Sequence, residues 1–347
     1  MSTTTRRYRT LITTLAIAAL AVGVAACGSS NEESTNGAEA KGQVTVYTGR
    51  HYGIEPVFKE FTKDTGIEVR FTSGSDPELR ARLEAEKANT PADLIMTADA
   101  ANIELAAKAG LLSPVDSAVL AGAIPEDLRA ADNTWFALSR RLRVIMTSSE
   151  RVTSAPTTYA EVGDPKWKGK LCLRPSTHPY TQSLVAGMIN NIGADATRKV
   201  VDAWVANNPL YINSDTDMLK AIKSGDCDVA LTNSYYLGRL LKDDKSFPVT
   251  LTWPDQATTG AHLNISAAAV TANAPNRAAA VVLLEWLATK GQNSFSSVNH
   301  EFPADPKVTP EPIIAGFGSF VADTKSIRVL GRLNPQAVEL LSAAKYQ

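Results

Sequence analysis

The chain lacks the short motifs that mark most enzymes. It contains no GxSxG elbow, no HExxH zinc pair, no GxxxxGK[ST] phosphate loop and no GxGxxG dinucleotide loop. An enzyme is therefore the least favoured class, and no catalytic residue is assigned. An excess of one charge is lacking too: 35 Lys and Arg stand against 36 Asp and Glu, with no basic patch for nucleic acid. There are four histidines. Three of them, His178 in a THPY turn and His262 and His300 in strand or loop contexts, have no metal-ligand spacing and read as structural. No internal repeat is present. The longest apolar run, residues 11–26, falls short of the roughly 20 residues that span a membrane. What remains is a composition of 44% hydrophobic and 20% charged residues in 347, normal for a globular protein and long enough for two domains.

That apolar run follows Arg6, Arg7 and Arg9 and ends Val24-Ala25-Ala26-Cys27. Residues 1–26 read as an export signal whose end resembles the bacterial lipobox, cleaved before a lipid-modified cysteine. Without them 32 basic residues face 36 acidic ones. Residues 27–42 have no apolar pattern and are expected to be a disordered tether. Export would leave Cys172 and Cys227 in an oxidising compartment, where a disulfide is plausible. Closing that loop contributes about 4 kcal/mol in the chain-entropy model. Two buried free thiols are the alternative.

Beyond the tether, strands and helices alternate. Strands are expected at 43–48, 68–71 and 93–97. Between them, Ile54, Val57, Phe58 and Phe61 fall at helical spacing before a Gly66 stop, and a charged helix covers 77–88. Asp99 caps a helix to Lys108. Two strands around a turn or bulge are expected at 135–139 and 143–147. A second lobe would begin near Lys168-Gly169-Lys170, with a strand at 171–173 and helices through Leu184–Ile189 and at 194–207. Asp215 would cap a helix at 216–224 that Gly225 stops. Strands at 248–253 and 262–270, a helix at 276–289 and a weaker one at 335–345 complete the chain. The alternation implies an α/β clam-shell of two mainly parallel sheets. Its parts are residues 43–145 and 265–305 as one lobe, 146–264 as the other, and 306–347 as a helical segment on the second lobe. Ligand binds between such lobes, and hinge closure buries it.

Two stretches sit where strands end, the edge at which open α/β sheets bind ligands. Asp228 to Thr232 is a buried strand that stops at Asn233-Ser234, after which Tyr235 and Tyr236 open a helix. Val44 to Tyr47 is a strand that runs into Thr48-Gly49-Arg50-His51-Tyr52. Three phenols and one imidazole at two strand mouths suggest a metal site.

In these stretches the chain resembles the ferric-iron-binding solute-binding proteins of ABC importers, bacterial relatives of the transferrin fold. The likeness covers most of the exported part. It is carried by VYTGRHY at 46–52, PADL at 91–94, RLRVIM at 141–146, KGKLC at 168–172, HPY at 178–180, CDVAL at 227–231, NSYY at 233–236 and GAHLNIS at 260–266. The resemblance implies Fe(III) as cargo and His51, Tyr52, Tyr235 and Tyr236 as ligands. It implies a further tyrosine after the RLRVIM stretch, where this chain has Thr147. With four protein ligands, two positions of an octahedral ion would fall to water or an anion such as carbonate. Arg50, Arg143 and Arg174, with Thr147, are the candidates to hold that anion or balance phenolates. Asp99 is explained by its cap. The implied partners are an importer permease and ATPase and the membrane through the lipid on Cys27. The place is the outer face of the cytoplasmic membrane, and the state is monomeric. The alternative is the same fold holding an organic or anionic solute such as thiamine, a polyamine or a phosphonate.

Overall fold

The computed structural model describes residues 42–50 and 53–347. The export signal, Cys27, the tether up to residue 41, His51 and Tyr52 lie outside the described residues. The strands are β1 Gln43–Thr48, β2 Glu68–Ser73, β3 Leu94–Thr97, β4 Phe136–Ser148, β5 Leu171–Leu173, β6 Leu210–Tyr211, β7 Val229–Asn233, β8 Val249–Thr252, β9 Ala261–Val270, β10 Phe302–Pro303 and β11 Ala322–Asp323. The helices are α1 Glu55–Thr65, α2 Asp76–Glu86, α3 Ala100–Lys108, α4 Ala118–Ala123, α5 Pro179–Ile192, α6 Ala194–Ala206, α7 Asp215–Ser224, α8 Ser234–Asp243, α9 Arg277–Ala288, α10 Gln292–Ser297, α11 Pro312–Ala315 and α12 Leu330–Ala343.

The main sheet runs β2-β1-β3-β9-β4-β7-β5-β6. At each end lies a parallel trio, β2-β1-β3 and β7-β5-β6. β4 and β9 join the trios, antiparallel to each other and to their outer neighbours. This is the two-lobe α/β architecture of type II binding proteins. The inner strands are buried on both faces, so every residue of β3, β7 and β9 is buried, and β9 carries His262, Asn264 and Ser266 among its apolar residues. Edge strand β2 is largely exposed. Among the described residues no helix is long and apolar enough to cross a membrane.

The two strands expected at 135–139 and 143–147 are one strand of 13 residues, β4, with a register shift between Ala137 and Ser139. Its first half pairs with β9, and from Arg143 onward it lies between β7 and β8. The intervening Arg140-Arg141 looks like a turn, yet Arg141 is buried between the halves. Helix ends follow backbone chemistry. Gly66 and Gly225 end α1 and α7 at φ 74° and 90°, a conformation that costs glycine nothing. Ser75 and Glu78 form a reciprocal capping box on α2. The last helix, expected at 335, begins at Leu330 with Pro335 inside it. It packs on α5 and α6 and also on α3, so the tail touches elements on both sides of the crossing strands. Cys172 and Cys227 are joined, both fully buried, with Cα atoms 5.8 Å apart.

Candidate functional site

A cavity of about 20 Å³ opens where β1 and β7 end, room for about one water or one ion. Gly49 and Arg50 approach it from β1, Tyr235 and Arg239 from α8, and Tyr180 from the first turn of α5; Arg141, Ser266 and Glu301 form its floor. The Tyr180 and Tyr235 hydroxyls lie 3.4 Å apart. The Tyr236 ring stacks on Tyr235 at 4.1 Å. Tyr180 and Tyr235 thus meet at the cavity from two helix N-termini, where the helix dipole favours negative charge, with the Tyr236 ring behind Tyr235. Asn233 holds the cap position of α8 in an extended conformation, but its side chain makes no capping bond.

Two guanidinium groups face these rings. Arg141 sits 5.5 Å from the Tyr180 ring centroid and Arg239 sits 4.9 Å from that of Tyr235. Burial opposes the Arg141 charge. The nearby Tyr180, Glu301, Tyr235 and Asp99 outweigh it and hold its pKa above the ordinary value. Two of its nitrogens, Nε and Nη2, have no hydrogen-bond partner, so it can still receive an anionic oxygen. Burial raises the Tyr235 phenol well above its ordinary pKa, and Tyr180 and Tyr236 add to this against Arg141. The unloaded phenol is thus neutral at pH 7.

Arg50 lines the cavity but is already committed: its Nη1 lies 2.5 Å from Glu301 Oε2 and 3.1 Å from Ser139 Oγ. Burial alone would raise Glu301. Arg50, Arg141 and a hydrogen bond from Ser139 outweigh it and hold the carboxyl below its usual range. Gly49 has no room for a side chain, since a Cβ there would meet the Asp76 carboxylate. Asp76 accepts the Ala98 N–H; burial, reinforced by Asp99, raises it to about 7.

The other candidate residues lie elsewhere. Thr147 pairs with Val229, four residues along β4 from the Arg143–Asn233 pair that marks the cavity end. At about 3.3 Å per residue that is about 13 Å away, so Thr147 is a buried sheet residue that does not line this cavity. Arg143 and Arg174 do not line it either. Both are buried against Asp215, at 2.6 Å and 3.1 Å. Asp215 does not cap α7, as expected from sequence; Ser214 does, accepting from the Asp217 N–H. Asp215 instead accepts the Asn233 N–H at 3.0 Å, and so fixes the entry to α8. Arg174 meets His178 Nε2 at 2.6 Å, while His178 Nδ1 accepts the Tyr180 N–H at 3.1 Å. Burial, with Arg174 and Arg143, lowers His178 to about 3, which keeps it a neutral cap. One buried carboxylate thus braces both tyrosine-bearing turns.

Sequence reasoning missed Tyr180 and Arg141. His51 and Tyr52 lie outside the described residues, though Gly49 and Arg50 just before them reach the cavity. Asp99 caps α3 through Oδ1, as expected, and its Oδ2 accepts from Ser183 of α5 and Asn264 of β9. Among the described residues no cluster of three or more His, Cys, Asp or Glu could hold a metal, so phenols are the distinctive donors here.

Residues 48–294 match the family described as bacterial extracellular solute-binding protein. Iron uptake protein A1 of Synechocystis sp. is 34% identical over 335 residues, covering 93% of each chain. A Trichodesmium protein solved with iron and citrate superposes with a TM-score of 0.83 at 36% identity, covering 88% of this chain and all of that one. The apo ferric ion-binding protein A of Pasteurella haemolytica gives 0.82 at 35%, covering 87% and 98%. These relatives are uptake and binding proteins rather than enzymes, and they bear out the resemblance to the ferric-iron-binding group. With more than half its length matched to the family profile, the chain belongs to the bacterial extracellular solute-binding proteins.

Proposed function

We propose that this protein captures ferric iron between its two lobes and passes it to the permease and ATPase of an ABC importer. It would work on the outer face of the cytoplasmic membrane, held there by a lipid on Cys27. The supporting observation is the pair of phenols, Tyr180 and Tyr235, with hydroxyls 3.4 Å apart beside two guanidinium groups. Fe(III) is a hard cation that selects anionic oxygen. Ionising a phenol at pH 7 costs about 4 kcal/mol from its reference pKa, more where burial raises it, and only a highly charged metal repays that.

The ligands would be Tyr180, Tyr235 and Tyr236, with His51 and Tyr52 completing five. Arg141 and Arg239 would offset the phenolate charge. The sixth position of an octahedral ion would take water or an anion such as carbonate. The size of the cavity, about 20 Å³, counts against thiamine or another organic solute, which needs ten times the room or more. Loading the protein from a weak ferric chelate should produce a visible phenolate-to-iron charge-transfer band. Iron uptake without that band, or no uptake at all, would overturn the reading.

A further inference from the structure

A second cavity, of about 300 Å³, shares no lining residue with the tyrosine site. Leu184, Met188 and Ile192, on the later turns of α5, form its apolar wall; His262 and Asp323, paired between β9 and β11, line it too, as does Asp255. His262 is 4% exposed, and neither ring nitrogen has a hydrogen-bond partner. Its ring fits under the helix where α5 has no side chain: a Cβ on Gly187 would lie 2.8 Å from Nδ1. Burial lowers its pKa to about 4. Asp323 and Asp99 pull it up, and Arg143 and Arg141 pull it down. The ring is therefore neutral at pH 7, with one nitrogen to accept and one to donate. Leaving both positions of a buried polar group idle is unfavourable, and a bound polar group would remove that cost.

The electrostatics narrow what that group is. No Lys or Arg lines the cavity, whereas two carboxylates do. Asp323 already accepts from Asn191 and Ser326, which fixes its position. Burial raises Asp255 to about 6, with Glu161 adding to this against a bond from the Tyr159 N–H; it is charged at pH 7.5. An anion would meet two like charges. A metal would lack ligands, since no suitable cluster exists among the described residues. We propose that this cavity binds a small organic ammonium ion with an apolar body, its ammonium donating to His262 and facing Asp255 and Asp323 while the body lies along α5. This inference stands apart from the iron reading.

The test uses the iron-free full chain at pH 7.5 and three probes of one shape: benzylammonium, benzyl alcohol and benzoate. Binding is read from the His262 imidazole resonance in NMR, assigned by its loss in His262→Phe, and from calorimetry. Benzylammonium should shift that resonance and bind at least about tenfold tighter than the alcohol, the worth of one charge-assisted hydrogen bond; benzoate should not bind. Asp255→Asn should narrow the gap between amine and alcohol. Equal affinity for all three probes, no shift with any, or amine binding that survives both His262→Phe and Asp255→Asn would overturn the proposal. The probe comparison on the unaltered chain decides even where a variant fails to fold.

Discussion

At the scale of single residues, the proposed ligand Tyr235 would carry a proton cost for iron. Its phenol is buried and its pKa raised, so every iron bound through it must expel a proton. Protons then compete with the metal, and apparent iron affinity should rise with pH and fall steeply with acid. A titration against a ferric chelator from pH 8 to pH 5 checks the sign; affinity flat across that range would exclude phenolate ligation. Tyr180→Phe should remove much of the visible band and weaken iron by about a hundredfold or more, beyond the usual loss from an outer-shell group, with the fold intact by circular dichroism. Thr147→Tyr, by contrast, should leave affinity unchanged, because residue 147 is about four strand residues from the cavity. The NSYY run stood out in the sequence because it is a contiguous run at a strand end, and Tyr235 of that run lines the cavity. Tyr180 did not, since its approach to Tyr235 spans 55 positions and is a tertiary fact. The cue was there in HPY: a proline opening a helix just beyond a strand, the same edge that exposed Tyr235.

At the scale of elements, the turns into α5 and α8 depend on one carboxylate. Asp215 pairs with Arg143 and Arg174 and accepts the Asn233 N–H. Sequence could place a helix start at Ser214-Asp215 but not say which residue caps it, as both are good caps. Only the packing of β4 and β5 brings two arginines to the second. Asp215→Asn leaves two buried guanidinium groups without a counter-charge and should cost about 3–5 kcal/mol, seen as a lower Tm and a lower denaturant midpoint, together with weaker iron binding. An unchanged Tm would mean that the ion pairs contribute nothing. His178 adds a pH dependence. Its folded pKa, about 3, is depressed from the usual 6.5, so the folded state binds the proton less readily than the unfolded chain. Its contribution to stability is complete above about pH 6.5 and is lost as pH falls toward 3. In His178→Asn, whose amide oxygen can still cap α5, the loss of stability between pH 6.5 and pH 4 should be smaller than in the parent chain, as read by urea unfolding at each pH.

At the scale of the molecule, the question is what holds the lobes in the arrangement that brings the tyrosines together. The covalent answer was legible: two crossing strands, though β4 was read as two pieces because Arg140-Arg141 looks like a break. The non-covalent answer was not. Asp99, explained from sequence by its cap alone, also accepts a 2.9 Å hydrogen bond from Ser183. That joins α3, which follows the β2-β1-β3 trio, to α5, which follows the β7-β5-β6 trio. In a hinged protein such a bond stabilises the closed form only, and a ligand that binds the closed form gains from it by the same amount. Ser183→Ala removes one hydrogen bond to a charged acceptor and leaves the Asp99 cap and the Asn264 contact in place. The closed form should lose about 1.5–3 kcal/mol, which lowers iron affinity by about tenfold to a hundredfold. The Tm of the iron-free protein should barely move if that protein rests open. Small-angle scattering should show the variant needing more iron than the parent to reach the same compact radius of gyration. An unchanged iron affinity in Ser183→Ala would mean that the bond is present in the iron-free state as well, and that Asp99 plays no part in closure.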